Sequence, residues 1–246
     1  MNHKQEWLKP GERLDDLQCK GFHLIQDPRS FCFGMDAVLI SHFAQLRKND
    51  KVMDLCSGNG VISILLAAKN PTNHFTALEI QQEAADRARR SVQMNKLEDR
   101  IHVVNDDVKN SRTLFEPSSM DVVVSNPPYL SADGLKNPQR DKAVSRHEVL
   151  LTLGELLEKS AYLLKPGGRL YLVHRPDRLV DLMDLSRQNR LEAKGMQMVH
   201  PRIDKKPNLV LLQFVKNGRP ELKLKEPLFV YDKEGNYTPE LLACYT

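Results

Sequence analysis

Long apolar runs are missing from this chain. No stretch of its 246 residues approaches the ~20 consecutive apolar residues that span a bilayer, and the first thirty hold no apolar core of signal-peptide length. Cysteine is sparse: Cys19, Cys32, Cys56 and Cys244 are far apart, form no C-x-x-C pair and do not group with histidines at metal-ligand spacing. That spacing supports neither a disulfide framework nor a zinc site, so a metal-free protein of the reducing cytoplasm, without a membrane partner, is expected. Internal repeats and low-complexity segments are absent, which excludes solenoids and disordered tracts. A large excess of one charge is absent too. The net charge of +4 permits a nucleic-acid partner without demanding one. What remains is 41% hydrophobic and 28% charged, long enough for one enlarged α/β domain with a sizeable core.

The chain is organised around Val122-Val123-Val124-Ser125-Asn126-Pro127-Pro128-Tyr129. The β-branched run predicts a buried strand, and the prolines end it because they cannot donate to a ladder and hold the preceding residue extended. Asn126 therefore stands at the carboxyl end of a strand, where open α/β sheets place their ligand crevice. The Asn126 side-chain oxygen and the Pro127 carbonyl are two acceptors on a stiff backbone, and the Tyr129 ring can stack on a planar group. Such a pair suits methylation of an exocyclic NH2. The lone pair of that group is delocalised, so it must be held in line with the donor rather than deprotonated beforehand.

Upstream, Asp54-Leu55-Cys56-Ser57-Gly58-Asn59-Gly60 separates the strand beginning at Lys51 from an apolar helix, with Gly58 and Gly60 where a ligand must approach backbone. As a dinucleotide fingerprint the loop lacks its third glycine, where Ser63 stands. The next strand, 75–80, carries Glu79 nineteen positions after Gly60, a spacing that suits a carboxylate accepting from both ribose hydroxyls of an adenosine ligand. A third strand, 101–108, stops at Asp106 and Asp107. Strand-helix alternation puts the ends at Cys56, Glu79, Asp107 and Asn126 on one rim of a parallel sheet.

The remaining stretches frame that core. Residues 1–30 predict an irregular or hairpin-like extension, and Asp36 can cap a helix over 36–43. The polar segment 130–147, with Arg140, Lys142 and Arg146, has the length and polarity of a lid. A helix over 148–164 stops at Lys165-Pro166-Gly167-Gly168, ahead of a strand over 169–174 that ends at His174, a residue with polar contacts rather than a catalyst. Another helix follows over 177–189, then an antiparallel pair at 195–200 and 208–214. Between 202 and 225 seven cations, Arg202, Lys205 and Lys206 among them, face only Asp204 and Glu221. That local surplus favours contact with RNA phosphates. Residues 217–246 predict a C-terminal extension packed back on the 31–216 domain.

On Asn126-Pro127-Pro128-Tyr129 and the glycine loop, the chain resembles the class I methyltransferases that use S-adenosylmethionine (SAM) on amino nitrogens, over roughly 33–215. Its Gly34-Met35-Asp36 segment is most similar to the tRNA1(Val) adenine-N6 methyltransferase family. The resemblance implies a Rossmann-like α/β fold, a seven-stranded, mostly parallel sheet with an antiparallel last strand and helices on both faces. It implies that Asn126, Pro127 and Tyr129 bind the target amine and base, with Asn126 also bordering the donor. Asp36 and Asp54 would lie toward the methionine end of SAM, Gly58 and Gly60 beneath it, Glu79 on its ribose and Asp107 at its adenine. Cys56 stands where the first glycine is commonest. The expected substrate is an adenine N6 in RNA, a tRNA anticodon-loop adenine above all. A glutamine amide in protein, a guanine N2 in rRNA and a non-catalytic SAM- or RNA-binding module are the other readings.

Overall fold

Val122, Val123 and Val124 are fully buried and alternate between two apolar layers, the outer pair in one core and Val123 in the other. Burial on both faces is what a β-branched run without polar alternation requires. The computed structural model describes residues 5–30, 32–128 and 151–245. In chain order it has a hairpin of β1 (Arg13–Asp16) and β2 (His23–Gln26), then α1 (Met35–Phe43), β3 (Lys51–Leu55), α2 (Val61–Lys69), β4 (His74–Glu79) and α3 (Gln82–Met94). There follow β5 (Ile101–Asn105), the single turn α4 (Ser111–Leu114), β6 (Met120–Ser125), α5 (Leu153–Leu163), β7 (Leu164–His174) and α6 (Leu179–Gln188). The chain closes with β8 (Leu191–His200), β9 (Leu209–Lys216), the two-residue strands β10 (Lys223–Leu224) and β11 (Leu228–Phe229), and the turn α7 (Pro239–Leu242).

The main sheet runs β5-β4-β3-β6-β7-β9-β8, with β10 and β11 pairing along the outer side of β8. Neighbours from β5 to β7 are parallel, while β9 is antiparallel to both β7 and β8. This is the doubly wound α/β arrangement that the resemblance implies. Apolar residues of α1, α2 and α3 cover one face, and those of α5 and α6 the other. The strand order reverses beside β3, the switch point at which such sheets open a crevice.

Four expectations are corrected by local physics. Asp36 does not cap α1; Gly34 is the N-cap, and Asp36 sits inside the first turn. Helix α5 begins at Leu153, because Thr152 and Glu155 form a reciprocal capping box at its start. Lys165-Pro166-Gly167-Gly168 ends that helix but lies within β7: pairing with β6 starts at Leu164, breaks, and resumes at Arg169. A Cβ on Gly168 would stand 2.8 Å from the Lys165 carbonyl, so the bulge requires glycine there. Strand β8 begins at Leu191, four residues ahead of the predicted start, and its register shifts between Ala193 and Gly195.

The N-terminal hairpin stays outside the sheet and is sewn to α3. The Ile25 amide donates to Ser91 Oγ at 3.0 Å, and the His23 amide to Asn95 Oδ1 at 3.0 Å. At the other end, Leu228, Val230, Leu241 and Cys244 join the core beneath α1 and α2. No helix among the described residues is long and apolar enough to cross a membrane.

Candidate active site

In-register pairing aligns Leu55 with Ser125 and with Leu78, and Glu79 with Asn105. The residues that follow these strands therefore share one rim, and Cys56 and Asn126 leave adjacent strands side by side. Ser125 Oγ fastens the junction by donating to the Leu55 carbonyl at 2.8 Å.

The glycine loop is shaped by three demands for left-handed backbone at alternate positions, Cys56 (φ +60°), Gly58 (φ +56°) and Gly60 (φ +78°). Only the glycines take this conformation without strain. A Cβ on Gly60 would press on Ala88 Cβ at 3.2 Å, whereas one on Gly58 would meet nothing within 4 Å. Gly60 thus lets the loop pack on α3, and Gly58 faces open space. Burial first, then the charges of Glu79, Asp54 and Asp107, push the Cys56 thiol far up, so it is neutral.

Carboxylates hold the loop in place. Glu79, 4% exposed, accepts from the Gly58 amide through Oε2 and from the Gln81 amide through Oε1, each at 2.8 Å. Asp54 is completely buried. Its Oδ2 accepts from Ser63 Oγ at 2.8 Å and from the Ser63 amide at 3.2 Å, while Oδ1 has no partner among the described residues. Burial, reinforced by the charge of Glu79, pushes the Asp54 carboxyl up to about 7 against the Ser63 bonds that lower it. At the end of β5, Asp106 Oδ1 is occupied by the Asp107 amide and Asn110 Nδ2, and Asp107 Oδ1 accepts from the Lys109 amide at 2.9 Å.

At the end of β6, Pro127 is buried and Asn126 partly so. Asn126 Nδ2 donates to Asp36 Oδ2 at 3.0 Å, bringing the start of α1 to the rim. Asn126 Oδ1 is buried and has no hydrogen-bond partner among the described residues. Tyr129, Arg140, Lys142, Arg146 and the 130–147 segment lie outside the described residues.

Arg202, Lys205 and Lys206 lie in the loop between β8 and β9, on the rim where Asn126 stands, because β8 runs parallel to β6. Arg202 donates to the Lys233 carbonyl at 2.8 Å, and both Arg202 and Lys205 lean on Asp204 at 3.8 and 3.5 Å. His174, at the end of β7, is 3% exposed and accepts from the Arg175 amide through Nδ1. Burial holds it at about 4, neutral at physiological pH.

Gln26 and Asn59 were not foreseen as site residues. Gln26, 1% exposed, accepts from the Phe33 amide at 2.9 Å, donates to Asp15 and lies 3.4 Å from Asn59 Nδ2. It joins the hairpin to the segment before α1 and to the glycine loop. No pattern marks a lone glutamine in a four-residue strand.

The methyltransferase small domain family matches residues 34–183, more than half of the chain, and the chain belongs to that family. A tRNA1(Val) (adenine(37)-N6)-methyltransferase of Bacteroides thetaiotaomicron is 30% identical over 227 residues, covering 91% of this chain and 92% of the relative. A protein of that name from Tolumonas auensis is 27% identical over 225 residues, 91% of this chain and 92% of its own. Among solved structures, one described as a predicted O-methyltransferase from Agrobacterium tumefaciens superposes with a TM-score of 0.70 at 22% identity, over 85% of this chain and 95% of the other. Pyrococcus horikoshii TYW2, solved in complex with MeSAdo, gives 0.60 at 14% identity over 85% and 73%.

The protein is thus a SAM-dependent N-methyltransferase of class I fold. The rim fits SAM on its own chemistry. It offers a buried, unpartnered Asp54 oxygen, open space above Gly58 and the carboxylates of Glu79 and Asp107. The donor molecule has an ammonium, two ribose hydroxyls and an adenine amine with which to meet them. Among the described residues, no group of three or more His, Cys, Asp or Glu side chains is arranged to hold a metal.

Proposed function

We propose that this enzyme transfers the SAM methyl group to the exocyclic N6 of an adenine in RNA, an anticodon-loop adenine of a valine-type tRNA. The observation that carries this reading is the buried, unpartnered Asn126 Oδ1 at the end of β6, an acceptor held ready for an N–H. Support for tRNA comes from the names of the relatives that span nearly the whole chain.

In this reading Asp54 and Asn126 would hold the methionine end of SAM, over Gly58 and Gly60, with Glu79 at the ribose and Asp107 at the adenine, and Asp36 would stand behind Asn126. Asn126 Oδ1 and the Pro127 carbonyl accept from the two hydrogens of the target amine, and Tyr129 stacks on the extruded base. Bound there, SAM would supply an electrophilic methyl on sulfonium sulfur, the C–S bond giving way to N–C with S-adenosylhomocysteine as leaving group, and the alkylated nitrogen would shed its proton to water. Most of the acceleration then comes from alignment. An unpaired loop base costs less to extrude than one in duplex.

Arg202, Lys205 and Lys206 on the same rim, together with Arg140, Lys142 and Arg146, are the proposed contacts to the RNA backbone. Residues 31–216 would carry the reaction, with 1–30 and 217–246 as extensions packed on that domain, in the cytoplasm.

Labelled methyl offered with bulk tRNA tests the proposal. N6-methyladenosine beside the anticodon, found by mass spectrometry and lost in Asn126→Ala while S-adenosylhomocysteine binding persists, supports it. Label in a polypeptide, or at guanine, overturns it.

A further inference from the structure

Asp36 and Asn126 are 90 positions apart in sequence, yet their side chains meet at 3.0 Å. A carboxylate can only accept, so the group it takes from the asparagine must be the NH2. That settles the orientation of an amide whose two ends are otherwise alike in shape. With Nδ2 committed to Asp36, the oxygen is turned the other way, into a buried position with no partner among the described residues.

The carboxylate is itself fixed. Its Oδ1 accepts from the Ala37 amide at 3.0 Å, in the first turn of α1. A Cβ on Gly34 would stand 2.9 Å from the same oxygen, so the backbone beside the carboxylate is as close as glycine permits. Ahead of it, the buried Gln26 pins the Phe33 amide. Helix α1 thereby aims one oxygen of Asp36 at β6.

We infer that Asp36 is a positioning residue for methyl transfer: it orients the Asn126 amide so that Oδ1, not the NH2, faces the target amine. In the opposite orientation the amide would present hydrogens to an amine that also presents hydrogens, and the acceptor pair formed with the Pro127 carbonyl would be lost. The inference rests on the reading of Asn126 given under Proposed function. It assigns Asp36 to the acceptor side of the reaction rather than to the ammonium of the donor.

Steady-state turnover and calorimetric binding of S-adenosylhomocysteine, which retains that ammonium, separate the two roles. Asp36→Ala is expected to lower kcat by about 100-fold, with the dissociation constant of S-adenosylhomocysteine changed by less than about threefold. Asp36→Asn, which can pair with Asn126 in either orientation, is expected to fall between this variant and the wild type. Gly34→Ala, which acts only by crowding the carboxylate, is expected to lower kcat in the same way and serves if Asp36→Ala does not fold. In an Asn126→Ala background, Asp36→Ala is expected to add almost nothing. A weakened S-adenosylhomocysteine complex with kcat preserved, or full additivity with Asn126→Ala, overturns the role of Asp36. Turnover retained by Asn126→Ala alone overturns the reading of Asn126, and this inference with it.

Discussion

The carboxylate of Glu79 accepts the backbone N–H of Gly58 at 2.8 Å, across the gap between the ends of β3 and β4. The acid that ends β4 therefore shapes the glycine loop before any ligand arrives. Its other oxygen caps the turn into α3 through Gln81. A carboxylate has about four lone-pair sites, more than two backbone donors fill, so one residue can serve both loop and ribose.

Glu79→Gln tests that double duty. The amide NH2 would have to face one of two backbone donors, Gly58 or Gln81. The expected result is a loss of roughly 1–3 kcal/mol of stability together with weaker S-adenosylhomocysteine binding, read by denaturant unfolding and calorimetry. Unchanged binding would remove Glu79 from the donor site.

The two loop glycines are expected to fail differently. Gly60→Ala forces a Cβ onto Ala88 as well as straining φ +78°, and should cost about 2 kcal/mol of stability. Gly58→Ala meets no protein atom within 4 Å, so its stability cost should stay near 1 kcal/mol while donor affinity drops sharply. Thermal unfolding with and without S-adenosylhomocysteine checks both.

Asp54 makes the stability of the free protein fall as pH rises. Its folded value of about 7 lies above the unfolded value near 3.8, so between those limits the folded state binds more protons, and the penalty is complete above pH 7. Asp54→Asn is expected to flatten this slope and to gain on the order of 4 kcal/mol over the wild type at pH 8, with little difference at pH 4. His174, depressed to about 4, acts in the opposite sense: its contribution is present above pH 6.5 and fades as pH falls toward 4. That term is common to both proteins and cancels in their comparison. Urea unfolding at pH 4 to 8 measures the difference.

Replacing Arg202, Lys205 and Lys206 by Gln should weaken tRNA binding and leave donor binding alone. Each lost phosphate contact is expected to lower the slope of log affinity against log salt by about 0.7–0.9. A salt slope equal to the wild type's would show that the loop between β8 and β9 does not touch RNA.

The parallel core was legible because Val122, Val123 and Val124 admit only a doubly buried strand and because glycine, acid or proline marks the end of each neighbour. The rim was legible where a residue sits at or just past a strand end, as at Gly58, Glu79 and Asn126. It was not legible where a side chain acts across the fold. Asp36 looked like a helix cap from its neighbours alone, since nothing local announces an amide 90 residues away. Gln26 was invisible for the same reason. The bulge in β7 was hidden because Pro-Gly-Gly marks a helix stop and a strand interruption equally well. The capping box of Thr152 and Glu155 was there to be read in the T-x-x-E spacing and would have placed α5 correctly.

The last described turn, with Leu241 and Cys244 in the same core as α1 and Lys69 Nζ donating to the Cys244 carbonyl, has a consequence for biosynthesis. Helix α1 emerges from the ribosome early, yet part of the apolar cover beneath it is translated some two hundred residues later. Until then the helix that carries Asp36 lacks its full apolar support.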